Sequence, residues 1–318
     1  MFRNPIGLSL SVSLLVCFLS TGCVSGPMTI HAGSQIPERT LCSSEGCVSS
    51  VQIVQGNPNQ LIDGLGWIVG IPRKVILWNR RVDNHSVEPE TMAEVAMFAE
   101  INQLDGVCVR VNQYAPVEEW NRLMDNDRVS PGWRYTMGTL SLVGYTLLPG
   151  RIFGGDHYNP YTNSVSVHSD VPALAMEAAA YAKDVQSREF PGTYAAVNQL
   201  PIVSIWHETI NTQDTLAYLE AYGSYKEQKD GLAILYPNYG ASVGGAIGSV
   251  VGVTPLFEAG GALVGHFSGR HKASKVDPED SDLAVWKNHR NEGQHSVHLA
   301  AKTCSSGMNG LLPVSNRH

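Results

Sequence analysis

Gly240, Gly244, Gly248 and Gly252 stand four residues apart, and Gly261, Gly265 and Gly269 repeat the interval beyond Thr254-Pro255. Four residues of α-helix turn about 400°, so each set forms a slowly drifting stripe along which another backbone can come close. Each helical glycine costs about 1 kcal/mol relative to alanine, which a close partner must offset. The spacing therefore predicts a glycine-zipper helical hairpin over 237–270, broken at Thr254-Pro255. Between Pro237 and Pro255 lie 17 uncharged residues, and Glu258 and Arg270 leave the second helix only 11. A membrane span needs about 20 apolar residues, so the hairpin is too short to cross twice. Three uses are consistent with it: shallow membrane insertion, homo-oligomer assembly, and tight packing inside a globular domain. The 31 glycines lack a three-residue period and are not diluted in Ser or Gln, which excludes collagen and low-complexity linker.

At the other end the chain reads as an export signal over 1–22: a cation at Arg3, a 14-residue apolar run from Ile6 to Leu19, then Ser20-Thr21-Gly22-Cys23. The run is too short for a span. Small residues directly before a cysteine resemble the bacterial lipoprotein signal, which implies a lipid anchor on Cys23 and a place in the cell envelope, on the periplasmic or surface side. Ser20 stands where that signal usually carries leucine, and Leu19 sits one place earlier. An ordinary secretory signal cut nearby is the alternative. With Cys23 lipidated, Cys42, Cys47, Cys108 and Cys304 remain, and an even number in an exported chain suggests two disulfides. Of three pairings, Cys42–Cys47 with Cys108–Cys304 is preferred, since the second closes a long loop. Four reduced, buried cysteines are the alternative. Metal binding at Cys42 and Cys47 lacks nearby ligands to complete a set of four.

The formal charge of -7, with basic residues clustered only in 270–275, excludes a general nucleic-acid binder. A hydrophobic content of 43% allows a substantial core. Residues 23–60 read as a flexible tether and 271–318 as a polar, partly disordered arm. Between them, 61–236 read as an α+β domain. KVILW (74–78) reads as a buried strand, and 88–104 as an amphipathic helix carrying Met92, Val95, Phe98, Ile101 and Leu104. VCVRVNQY (107–114) alternates as a half-buried strand, and a short helix follows Pro116. Residues 132–155 hold too many β-formers and glycines for a helix and read as strands or a buried loop. An extended 164–168 precedes helices over about 171–188 and 205–225.

Three pieces belong together: FGGDHYNPYTNSVSVHSD (153–170), ALAMEAAAYAKD (173–184) and WHETINTQDTLAYLEAY (206–222). Read as an edge strand, a helix and a second helix opening with His-Glu, they resemble gluzincin-type zinc metallopeptidases and related bacterial lipoproteins, over roughly 75–240. The resemblance implies a zincin-like core of helices packed on a small sheet, with His-Glu-x-x-His on the first helix and a glutamate ligand on the second. In the register set by 182–184, the two histidine positions hold Glu177 and Tyr181, and the general-base position holds Ala178. With Glu177 taken as the base instead, the ligand positions hold Met176 and Ala180. Either register removes the metal machinery.

A rewired site would draw on Glu177, His207, Glu208, Asp214, His157 and His168. Strand parity sets His157 and His168, 11 residues apart, on opposite faces of an unbroken strand. Glu208 and Asp214 diverge by about 120° on a helix. Packing roles are also available: the Tyr181 hydroxyl bonded to Glu177 or Glu208, and His207-Glu208 in a first helical turn.

The sequence thus points to a lipid-anchored envelope protein with a degenerate metallopeptidase-like site at Glu177, Tyr181, His207 and Glu208, binding or scaffolding without a cofactor. Its partners would be the membrane and a protein or peptide, the latter held along DHYNPYTN (156–163). The alternatives are a peptidase holding zinc through displaced ligands, and a membrane-inserting or oligomerising glycine-zipper protein.

Overall fold

A computed structural model describes residues 51–278. The signal segment, Cys23, Cys42, Cys47, Cys304 and the arm beyond 278 lie outside the described residues. Within them the chain is mostly helical around a mixed four-stranded sheet, the α+β class expected.

The sheet runs β1 (Gln52–Gln55), β2 (Cys108–Val111), β4 (Ser164–Val167), β3 (His157–Asn159), with β1, β2 and β4 parallel and β3 antiparallel to β4. β1 falls inside the stretch read as tether, because its four residues pair along β2. The strand at 164–168 is internal, and the edge beside it is β3. β2 alternates as its sequence demands, yet both faces are covered. Val109 and Val111 pair with Val165 and Val167 and look into the main core with Val95, Phe98, Leu174 and Met176. On the other face Arg110, 2% exposed, reaches Glu119 Oε1 at 2.5 Å, and Glu119 Oε2 accepts from Ser164 Oγ. A buried ion pair stands where a half-buried strand would meet water.

Of the helices, α1 (Gln60–Val69) starts at Asn59, whose side chain accepts from the amides of Leu61 and Ile62. KVILW forms no strand. Its first residues lie in α2 (Ile71–Ile76), which Pro72 opens. Trp78 ends it at φ 51. The Lys74 ammonium, buried, donates to the carbonyls of Trp67 and Asp83. α3 (Pro89–Ile101) buries Met92, Val95 and Phe98 as its spacing predicts; Ile101 is 39% exposed at its end. α4 (Pro116–Asp125) supplies Glu119.

Residues 132–155 also depart from expectation. A π-helical turn (Arg134–Gly138) leads into α5 (Thr139–Leu147), and α6 (Gly150–Phe153) follows. Gly138 makes this possible: a Cβ there would meet Leu123 Cδ1 at 2.6 Å.

The last five helices are α7 (Pro172–Gln186), α8 (Pro191–Val197), α9 (Pro201–Tyr222), α10 (Tyr225–Val251) and α11 (Thr254–Ala273). The hairpin forms from α10 and α11. Its first helix starts twelve residues before Pro237, at a Ser224–Glu227 capping box, with Pro237 inside it. A Cβ on Gly244 would meet Phe257 O at 2.0 Å, and one on Gly261 would meet Gly240 O at 2.0 Å. Gly248, Gly265 and Gly269 also face the partner helix closely. Gly252 instead caps α10 at φ 82 with open space around it. The hairpin is tied to the domain at α2: His266 Nε2 lies 2.8 Å from Ile76 O, its ring stacks on Trp78 at 4.0 Å, and the Arg270 guanidinium sits over the same indole.

Candidate functional site

α7 owes its position to alanine. Ala175, Ala179, Ala180 and Ala182 are fully buried, so α3 and α9 pack onto it closely. α9 carries polar side chains at 208, 211, 212 and 215, the i, i+3, i+4, i+7 face that normally holds a core stripe. Thr215 is fully buried and donates to Asn211 O at 2.8 Å. This polar stripe was the readable signal for Asn211 and Thr212, which the motif comparison missed.

A cavity of about 940 Å³ opens among α2, α7, α9, β3 and the hairpin, within the usual range of a small-ligand site. Glu177, Tyr181, His207 and Glu208 all line it, so the four residues singled out in the sequence converge. Glu177 is buried, its Oε1 accepting from Thr212 Oγ1 and its Oε2 from Asn238 Nδ2, both at 2.7 Å. Burial, reinforced by Glu208, pushes its carboxyl up to about 8. Burial also raises Glu208, to about 7, with Arg73 opposing. His207 stacks on Tyr181 at 4.6 Å, and burial holds it down to about 4, so the imidazole is neutral. The Tyr181 ring also meets Tyr158 edge-on at 5.7 Å; no bond joins its hydroxyl to Glu177 or Glu208. His207 and Glu208 lie in the second turn of α9, because Pro201 starts the helix earlier.

The remaining candidates disperse. Asp214 pairs with Lys183 at 2.9 Å. His168, 1% exposed, lies near Asn112 at 3.4 Å, whereas His157 is exposed with Nδ1 2.8 Å from Gly155 O. They do look different ways, but across a hairpin rather than along one strand. Cys108 is buried on β2; its proposed partner lies outside the described residues, within which no disulfide forms. Arg73, Asp83, Asp156 and Asn238 complete the cavity and carried no motif. Arg73 bridges Asp83 Oδ1 at 3.3 Å and Asn238 Oδ1 at 3.5 Å.

This donor set does not fit a zinc ion. Both Glu177 oxygens already accept hydrogen bonds, and the face of Tyr181 lies on His207. Among the described residues no three of His, Cys, Asp and Glu are grouped to share one metal. What the arrangement offers is a pair of carboxyls near neutral titration in a cavity with apolar walls. No family model, curated protein or solved structure matches the chain.

Proposed function

We propose that this is a lipid-anchored cell-envelope protein whose domain keeps a zincin-like pair of helices and uses the cavity between them to bind a ligand rather than to hydrolyse one. The observation carrying this reading is the clamp on Glu177. A residue at a histidine position of the resembled motif is tied to Thr212 and Asn238, and the second such position, Tyr181, is packed against His207. A zinc hydrolase needs three ligands, an open coordination position and a base beside the bound water. Here the corresponding side chains hold each other.

The test is metal analysis of purified mature protein together with a peptide-hydrolysis assay. We expect zinc well below one ion per chain and no cleavage. Stoichiometric zinc, lost with peptidase activity in Glu208→Ala, would establish the displaced-ligand peptidase instead. The glycine-zipper reading has less support: both stripes meet within the hairpin, so assembly of copies would require another surface.

A further inference from the structure

The cavity holds acceptors that lack donors. Asn211, 3% exposed, approaches His207 Nδ1 with its Nδ2 at 3.3 Å and leaves Oδ1 without a partner. Glu208 stands three residues before it on α9, so the two side chains share a helix face. Among the described residues nothing donates to the Glu208 carboxylate, and the one nearby guanidinium, Arg73, is engaged by Asp83 and Asn238. In the loop before β3, Asp156 Oδ1 accepts from the amides of His168 and Ser169 while its buried Oδ2 has no donor. A buried acceptor left unpaired costs about 1–3 kcal/mol, so this site gains from a ligand that brings N–H groups.

The charge agrees. Asp83, Asp156, Glu177, Glu208 and Glu258 face the cavity against the single guanidinium of Arg73. From the remaining walls, His207 is neutral, His157 is turned to a backbone carbonyl, and Tyr158 and Tyr181 are held protonated by burial. Behind Asp83, the Lys74 ammonium is taken up by two carbonyls. Val69, Leu77 and Phe153 give the walls an apolar part, and Val69 and Phe153 are exposed at 44% and 57%.

Resting on the binding function proposed above, we propose that the cavity takes a primary ammonium group on an apolar stem, its N–H donors shared between the Glu208 carboxylate and Asn211 Oδ1. Unpaired acceptors ask for N–H donors, which a quaternary ammonium lacks. Two acceptors one helical turn apart suit a compact head with donors in several directions. The group could be a free alkylamine or the N-terminus of an apolar peptide.

Calorimetric titration of the full-length Cys23→Ser protein tests this. At pH 8, hexylammonium should bind saturably at one site, with hexanoate and N-acetylhexylamine at least tenfold weaker. Trileucine amide, free and N-acetylated, separates the sources: tighter binding of the free peptide assigns a polypeptide N-terminus, and binding of hexylammonium alone assigns a free amine. Glu208→Gln should weaken the amine at least tenfold with an unchanged melting midpoint, since no protein group is bonded to that carboxylate. Wild-type protein at pH 5.5, with both glutamates protonated, should show a similar loss. Equal binding of hexanoate or the acetylated amine, or retained affinity in Glu208→Gln, would overturn the proposal. Failure to bind hexylammonium in a protein free of zinc and peptidase activity would remove the ammonium ligand alone. Zinc with peptidase activity would remove the binding reading beneath it.

Discussion

Glu177 and His207 titrate in opposite senses for one cause, the loss of water around a charge. The native Glu177 carboxyl keeps a proton that the unfolded chain releases near its ordinary 4.5, so its contribution to stability is lost as pH rises through about 8. His207 behaves inversely. The unfolded imidazole takes up a proton below 6.5 that the native one refuses until about 4, so its contribution is present above 6.5 and lost as pH falls through about 4. Urea unfolding should therefore show greatest stability between about pH 5 and 6.5. In Glu177→Gln the amide can still accept from Asn238 and donate to Thr212, whose hydroxyl turns round. That variant should lose most of the alkaline decline, gaining about 1–3 kcal/mol over wild type at pH 9. Arg110 and Glu119 predict a second outcome. Glu119→Leu leaves a buried guanidinium with only the half-exposed Glu118 and Gln113, and should cost about 2–4 kcal/mol in chemical denaturation. Adding Arg110→Met should recover most of that loss. The sequence marked Glu177, Tyr181, His207 and Glu208 because a motif comparison looks where ligands should be. It passed over Arg73, Asp156 and Asn238, whose roles come from chain crossings far apart in sequence.

The hairpin supplies a matched pair of tests at the element scale. Gly260 and Gly261 are neighbours in α11, yet a Cβ on Gly260 meets open space while one on Gly261 would lie 2.0 Å from Gly240 O. Gly260→Ala should raise stability by about 1 kcal/mol through helix propensity, and Gly261→Ala should lower it by about 1–3 kcal/mol by overpacking. Thermal melts of the two variants read opposite signs from adjacent positions. Opposite effects would show that the four-residue interval is about backbone contact and not composition. The interval was legible in the sequence because periodic small residues encode a contact locally. So were α3, from its apolar spacing, and α7, from its proline start and alanine run. KVILW was not. Its β-branched residues favour a strand, but Pro72 starts a helix and contacts with His266 and Arg270, nearly two hundred residues on, fix where it ends. Residues 132–155 misled for a related reason, since a glycine that usually breaks helices is here the point of closest approach to Leu123.

At the scale of the molecule, the question is what holds it to a membrane. Among the described residues no helix is long and apolar enough to cross one. The hairpin turn does present apolar side chains, with Val250 65% and Leu256 69% exposed. Opening the hairpin to insert it would break the Gly240–Gly261 and Gly244–Phe257 approaches and the stack of His266 on Trp78. A few side chains dipped at the turn contribute about 1.5–3 kcal/mol each at full burial. Acyl chains contribute about 0.8 kcal/mol per buried CH₂, so the proposed lipid on Cys23 outweighs the turn. Liposome flotation follows from these magnitudes. The native protein should float, Cys23→Ser should stay at the bottom of the gradient, and the otherwise native Leu256→Asp protein should still float. If Cys23→Ser floats and a further Leu256→Asp change sinks it, the hairpin turn is the membrane element. The close glycine contacts would then serve to stiffen the wedge that enters the bilayer.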